Sequence, residues 1–478
     1  MSDTITSVNN GQVPYNTLRV VLLSVVAALG GFLFGYDSGV INGTVGALQQ
    51  AFGSDAVGTG FNIASMLLGC AAGAFFAGNL ADKIGRKYTL LIAAGAFVIS
   101  AYGSGMAGSS VEFVVFRVLG GLAVGAASIT APAYIGEIAP AKIRGRLISL
   151  QQLAIVLGLF MAFFSNYHIA EAAGGAAEIF WWGFGAWQWM FWMEIIPASV
   201  FLFSLLLIPE SPRFLVAAGK DIKAENILTS LSNRETAVKQ VAEIRETVIR
   251  ERKPRLSDIV NAGSGKIYPI VWIGIAIAAL QQFTGINVVF YYGSVLWQAA
   301  GFTESDDLLT NVISGSVNVI FTFVAIALVD RVGRKPLLLI GALGQAIMLG
   351  LMAMIFAFGA KDASGGLEMS GKSGLMALLA ANAYIAFFAF TWGPVMWVML
   401  GEMFSNKFRG AALAVAGLAQ WGSNFLITIT FPLLLTSIGL GISYGMYAAF
   451  GVLAFFIVRK FVSETKGRTL EEISRDQQ

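Results

Sequence analysis

The chain has 478 residues, of which 56% are hydrophobic and only 12% charged, with a mean hydropathy of +0.72. Soluble domains carry about 25% charged residues, so a water-soluble enzyme, a nucleic-acid binder and a secreted module are excluded. A net charge of +3 is too small to imply a polyanionic partner, and the single cysteine, Cys70, leaves neither an internal disulfide nor a cysteine metal site.

Residues 1–16 are polar, without a basic start or a small-residue cleavage site, and read as a short cytoplasmic tail, not a signal peptide. Twelve apolar blocks follow, at 18–41, 61–80, 88–107, 111–135, 146–167, 187–208, 267–293, 309–330, 336–358, 374–400, 411–433 and 441–461. Each is near the ~20 residues that a helix needs to cross a bilayer. They are continuous, unlike the alternating segments of a barrel, so helices are predicted, with every backbone hydrogen bond made internally. His168, near the outer end of span 5, reads as a surface residue, and Trp181, Trp182 and Trp187 in the next loop as an external aromatic belt. The connector 209–266 has soluble character: Asp221–Leu231 and Arg234–Arg250 space Ile, Leu and Val three and four apart among charges, which predicts amphipathic helices. The organisation expected is a tail at 1–17, a six-helix half at 18–208, the connector at 209–266, a second half at 267–461 and a tail at 462–478.

Of the 31 lysines and arginines, 28 fall on the segments after the even-numbered spans, on the two tails, or within the three residues of a span that adjoin them. Arg117 lies inside span 4, and Lys361 and Lys372 fall on the opposite side. Positive charge is retained in the cytoplasm, so both termini are expected there.

The two halves repeat each other. Gly78-Asn-Leu-Ala-Asp82-Lys-Ile-Gly85-Arg86-Lys87 after span 2 is echoed by Asp330-Arg-Val-Gly333-Arg334-Lys335 after span 8. Glu137 precedes Arg144 by the same interval that separates Glu402 from Arg409, and Pro209-Glu210-Ser211 is matched by Ser463-Glu464-Thr465. Two such halves are the pattern of a transporter that rocks about a central site. Asp82, Glu137 and Glu210 are placed to pair with Arg86, Arg144 and Arg213, and their counterparts likewise, forming a cytoplasmic gate that is latched in one state and separated in the other. The plainer alternative is topology, which needs the positive charges but not carboxylates at repeated spacing.

Amides stand within otherwise apolar spans: Gln152 in span 5, Gln281, Gln282 and Asn287 in span 7, Asn318 in span 8 and Gln420 in span 11. Amides both donate and accept, as sugar hydroxyls do, and aromatic walls suit the apolar ring faces. The alternative use is hydrogen bonding between helices. Gly285 and Gly393-Pro394 invite breaks in spans 7 and 10, which are tolerated at membrane depth where they line a cavity. Tyr292 and Trp392 read more readily as packing. Asp37, Arg117 and Glu194 are ionisable groups well inside spans, where a charge costs roughly 2.5–3.5 kcal/mol. Asp37 with Arg117 is either a static pair or a proton switch. No metal-ligand set or nucleophilic triad is visible, so no cofactor and no enzymatic step is expected.

The loop from Gly78 to Lys87 resembles the signature of the major facilitator superfamily. Pro132-Ala-Tyr134-Ile-Gly-Glu137-Ile-Ala-Pro140-Ala-Lys-Ile-Arg144-Gly145 resembles the sugar porter motif, as do Pro209-Glu-Ser-Pro-Arg213, Gln281-Gln282-Phe-Thr-Gly285-Ile-Asn287 and Glu464-Thr-Lys466-Gly467-Arg468. Ser405 and Ser463 stand where the family usually has proline, and Gln188 where it has arginine. The resemblance implies an all-α polytopic membrane protein with twelve transmembrane helices in two pseudo-symmetric six-helix halves. It matches Gln152, Gln281, Gln282, Asn287, Trp397 and Gln420 to sugar-binding positions, with Asn318 and Trp421 close by and Phe34, Gly393 and Tyr291 completing the wall. An aspartate at the position of Asp37 is typical of the proton-coupled members, and Glu194 is expected to assist. The function so implied is import of a monosaccharide, glucose first, with a proton, by a monomer in the plasma (inner) membrane. The alternatives are a passive facilitator, or a symporter for xylose, galactose or fructose. A drug–proton antiporter would favour a greasier cavity, and a sugar sensor a long signalling tail. The partners expected are the sugar, the proton and the lipid bilayer, with no nucleic acid.

Overall fold

The computed structural model describes residues 15–250, 255–261, 265–359, 372–405 and 408–466. Regular structure among them is helical, apart from isolated bridges joining Ile179 to Gly185 and Val260 to Ile267. Twelve helices are long and apolar enough to cross a membrane: Thr17–Phe52, Ala56–Ile84, Arg86–Met106, Ser110–Ile138, Ile143–Ala173, Ala186–Leu207, Pro269–Tyr291, Glu304–Val329, Arg334–Phe358, Lys372–Met403, Arg409–Ser437 and Gly439–Phe461. These are spans 1 to 12 below.

Most run past the apolar blocks, because polar caps and not hydropathy set their ends. Asp55 accepts from the Gly58 N–H at 2.8 Å, and Ser109 and Thr303 cap spans 4 and 8 in the same way at 3.3 Å. Glu137 thereby falls within the last turn of span 4. Spans 2 and 3 are separated by one residue, Gly85, at φ 102°, and the helices that carry spans 8 and 9, Glu304–Val332 and Arg334–Phe358, by Gly333 at φ 104°. Only glycine enters that region without strain, so the tight reversal is repeated in both halves.

Spans 2 and 4 touch backbone to backbone, Gly121 lying on the Met66 carbonyl and Gly125 on that of Cys70, where any Cβ would collide. Span 2 packs across the halves on span 11, and span 5 on span 8. On the face away from the chain ends one apolar core passes through both halves, joining Ala162 and Phe163 to Phe290, Tyr292 and Phe431. On the terminal face, which carries both chain ends and the connector, the second half keeps its own core of Val271, Leu337, Met399, Phe404 and Val458. The halves are therefore joined at one face and parted at the other.

Four of the spans are interrupted, span 1 by a 3-10 turn at Ile41–Thr44. Span 7 is built from Pro269–Phe283 and Ile286–Tyr291, with Gly285 at φ 85° between them, and continues as Gly293–Ala299. Span 10 holds a π-turn, Phe388–Trp392, immediately before Gly393-Pro394. Span 6 breaks at Glu194, ahead of Pro197, which has no N–H to continue the ladder.

The connector forms Pro212–Ala217 and both amphipathic helices expected, Asp221–Leu231 and Arg234–Arg250, around Leu215, Val216 and Ala224. Arg245 pairs with Asp221, and Gln240 donates to the Tyr15 hydroxyl at 2.8 Å. One belt expectation is corrected. Trp181 and Trp182 are exposed, but Trp187 is buried in the first turn of span 6 against Phe52 and Phe191. Gln188, in place of the family arginine, accepts from Gly185 N–H at 2.8 Å and donates to the Gly105 carbonyl at 2.7 Å, tying spans 6 and 3. His168 is exposed beside Glu171. Lys361 and the segment from Gly467 onward lie outside the described residues.

Candidate functional site

The breaks in spans 7 and 10 face each other, and three of the amides join there in a chain. Gln281 donates to the Trp392 carbonyl at 2.9 Å, Gln282 to Gln281 at 3.0 Å, and Asn287 to Gln282 at 2.6 Å. Gly393 borders this chain, its carbonyl 3.5 Å from the Gln281 amide. Phe34 on span 1 meets Trp421 on span 11 with ring centroids 5.8 Å apart, which closes a wall across the two halves. Gln420 beside it is buried, with its side-chain oxygen unbonded. Tyr291 is buried facing Asn424 on span 11 and Ser38 on span 1.

Gln152, Asn318 and Trp397 stand apart: among the described residues, no side-chain hydrogen bond joins them to the amide chain. Asn318 is buried, Gln152 half-buried, and Trp397, beyond the π-turn, is 41% exposed. Tyr292 donates to the Thr428 carbonyl at 2.8 Å and Trp392 to that of Leu338 at 2.9 Å, so both serve packing.

A second cluster lies inside the first half. Arg117 pairs with the carboxylate of Asp37, reaches its carbonyl at 3.3 Å, and sits 5.8 Å over the Phe191 ring. Glu194, at the break in span 6, is buried and faces both groups. One Asp37 oxygen and the Arg117 Nε are unbonded. Asp37 thus holds the guanidinium, with Glu194 near enough to feel both charges, and all three are nearly sealed from water.

The terminal face carries the repeated gate motifs in nearly superimposable form. Arg86 bonds Glu137 at 3.1 and 3.2 Å and Asp82 at 3.3 Å; Arg334 bonds Glu402 at 2.8 Å. Ser211 donates to Glu137, and Thr465 to Glu402 at 2.5 Å. Glu210 accepts from the N–H groups of Arg86 and Lys87, and Glu464 from those of Arg334 and Lys335. Each carboxylate therefore seals the positive end of a helix. Burial alone raises the Glu464 carboxyl, but backbone N–H groups of Lys466, Arg334, Lys335 and Thr465 outweigh it and hold the group below the ordinary glutamate value. Among the described residues no bond joins Glu137 to Arg144 in this state. Arg144 donates to the Ala139 carbonyl at 3.3 Å, as Arg409 does to that of Phe404 at 3.3 Å, because each guanidinium folds back over its own helix-ending turn. These bonds connect loops within a half. The Asp330 side chain lies outside the described residues.

One cluster escaped the sequence reading. On the face away from the termini, Asn42 donates to the Phe290 carbonyl at 2.9 Å and accepts from Ser294 and Asn311 at 2.8 and 3.0 Å, all three side chains being buried. It fastens span 1 to spans 7 and 8. The amide criterion applied elsewhere would have found Asn42 and Asn311, since both sit in apolar runs.

A family profile described as "Sugar (and other) transporter" matches residues 23–476. The chain belongs to this family. It is 51% identical to a glucose transport protein of Synechocystis sp., over 96% of this chain and 97% of that protein. It is 39% identical to the D-xylose-proton symporter of Escherichia coli, over 96% of each. Among solved structures it resembles the inward open conformation of the E. coli xylose transporter, with a TM-score of 0.82 and 38% identity over 95% of this chain and 99% of that one. It also resembles the proton:xylose symporter bound to 6-bromo-6-deoxy-D-glucose, with a TM-score of 0.77 and 38% identity over 97% of this chain and all of that one. This sugar transporter is thus a multi-pass membrane protein with the major facilitator fold, built from two six-helix halves.

Proposed function

We propose that the chain imports a monosaccharide, glucose before xylose, together with a proton, by rocking residues 18–208 against 267–461. The observation that carries the proposal is the division of chemistry: uncharged amides line the broken span 7, while the charged cluster sits in the opposite half. In this reading Gln281, Gln282, Asn287 and Gln420 bond sugar hydroxyls, Phe34, Tyr291, Trp421 and Gly393 form the wall, and Gln152, Asn318 and Trp397 close on the sugar as the halves move. The 51% identity to a glucose transport protein supports the choice of sugar.

With Asp37 and Glu194 both ionised, the cluster holds one net negative charge away from water, and a single proton removes it. The site can sense that event. Asp37 lies one helical turn from Phe34, and its neighbour Ser38 faces Tyr291. Protonation that loosens Asp37 from Arg117 is thereby passed to the sugar wall. The positive-inside bias supports a cytoplasmic terminal face, and the protein acts as a monomer of the plasma membrane in this reading. The parted terminal face is then the inward-facing state, closed outside by Asn42, Ser294 and Asn311.

Proteoliposomes test the proposal. Labelled glucose should accumulate only when a pH gradient, acid outside, is applied, and competing sugars should rank the substrates. Asp37→Asn should keep sugar-for-sugar exchange and lose accumulation. Equal uptake with and without the gradient would make the protein a passive facilitator.

A further inference from the structure

The turn that sets span 7 at the sugar site is held from behind by a residue that no sugar can touch. A helix leaves its last carbonyls without internal partners, and at the end of Pro269–Phe283 the carbonyl of Thr284 is one of these. Tyr384, on span 10, donates its hydroxyl to that carbonyl at 2.8 Å, and its side chain has no exposed surface. Thr284 turns its own hydroxyl onto the Gln281 carbonyl at 2.9 Å. The next residue, Gly285, takes φ 85° and lies against the ring of Tyr447 on span 12, where a Cβ would be 2.7 Å from ring carbon. Two residues later Asn287 leaves the turn toward Gln282. The turn is therefore clamped between two tyrosines, of which Tyr384 makes a directional bond and Tyr447 makes none among the described residues.

We propose that Tyr384 is a positioning residue for the sugar site: its bond to the Thr284 carbonyl fixes the turn at Gly285 and so sets where Gln282 and Asn287 stand. The proposal rests on the monosaccharide reading above for its binding readout. Span 10 then grips span 7 at two points, through Tyr384 on Thr284 at the break and through the Trp392 carbonyl on Gln281 a turn before it. Movement of span 10 during the transport cycle repositions the amides directly.

Tyr384→Phe removes one oxygen and changes no surface open to the sugar. Tyr444→Phe is the matched control, because that buried hydroxyl bonds no group among the described residues and its ring lies 5.7 Å from that of Tyr447. D-glucose binding by calorimetry should weaken roughly three- to tenfold in Tyr384→Phe, the equivalent of one lost hydrogen bond, and hold steady in Tyr444→Phe. In an Asn287→Ala background the further loss should fall below about twofold, since the two substitutions act on one contact. Without ligand, backbone amides of residues 285–289 should exchange with deuterium faster in Tyr384→Phe than in the parent or in Tyr444→Phe. Unchanged exchange, or an equal loss of affinity with and without Asn287, would overturn the proposal. A parent that binds no D-glucose would overturn the sugar reading instead, and the exchange measurement would still decide the role of Tyr384.

Discussion

The two halves of this transporter agree at the terminal face and disagree in their interiors. At the gate, even the fold-back of Arg144 onto Ala139 and of Arg409 onto Phe404 has the same length, 3.3 Å. Inside, the first half seals Asp37, Arg117 and Glu194 away from water, whereas the register set by Glu137 and Glu402 puts uncharged Asn382 opposite Arg117. Among the described residues Asn382 donates to the Leu378 carbonyl of its own helix and to no other group. The duplicated part is mechanical, holding loops and helix ends together so that each half moves as a body. The part that is not duplicated is chemical, with buried charges on one side and uncharged amides on the other.

The largest effect should come from removing the charge that only one half contains. Arg117→Met leaves two buried carboxylates without a cation, and should lower stability by about 3–5 kcal/mol. Asn382→Ala should cost below about 1 kcal/mol, since it gives up a single bond to its own helix. Thermal unfolding of the purified variants measures both, and equal losses would erase the distinction between the interiors. A middle-sized effect tests the shared gate. Glu137→Gln and Glu402→Gln each weaken a charged hydrogen bond to Arg86 or Arg334, and should each cost about 1–3 kcal/mol. If one variant unfolds like the parent, the gate is not a two-fold device.

The smallest effect is one of pH. Because the folded protein holds Glu464 below its ordinary value, the carboxylate's contribution is complete above about pH 4.3, the unperturbed glutamate value, and is lost as pH falls through the lowered one. The difference in melting temperature between parent and Glu464→Gln should therefore stay level from neutral pH down to about 5 and shrink below 4. A difference that widens on acidification would show that the backbone N–H groups do not favour the charged form.

The fold was legible because the bilayer leaves the backbone few choices: twelve apolar blocks became twelve helices, and the repeated gate loops landed at matching helix ends. Asp37, Arg117 and Glu194 could be singled out because a charge inside an apolar run needs a reason. The amides of span 7 were legible for the same cause, and Gly285 pointed to the break that gathers them. Pairings were harder. Glu137 and Arg144 are spaced for contact, but Arg86 arrives from another loop and takes Glu137, a competition that spacing within one segment does not encode. Trp187 was misplaced because an aromatic residue at a helix start can turn inward or outward, and Phe52, distant in the chain, supplies the inward partner. Tyr384 gave no signal at all, since a tyrosine in an apolar helix looks like packing until the carbonyl it serves is in view.

The π-turn at Phe388–Trp392 has a consequence for inheritance. An α-helix turns by about 100° per residue, so adding or deleting one residue swings everything beyond it through that angle. A π-turn is the shape a helix takes when it absorbs one extra residue while keeping its axis. Deleting that residue would restore a regular helix with Tyr384 still facing Thr284 and Glu402 still facing Arg334, but would withdraw the widened turn whose Trp392 carbonyl meets Gln281. A one-residue length change is thus a means by which relatives of this chain could alter the contact behind the amides without turning the gate.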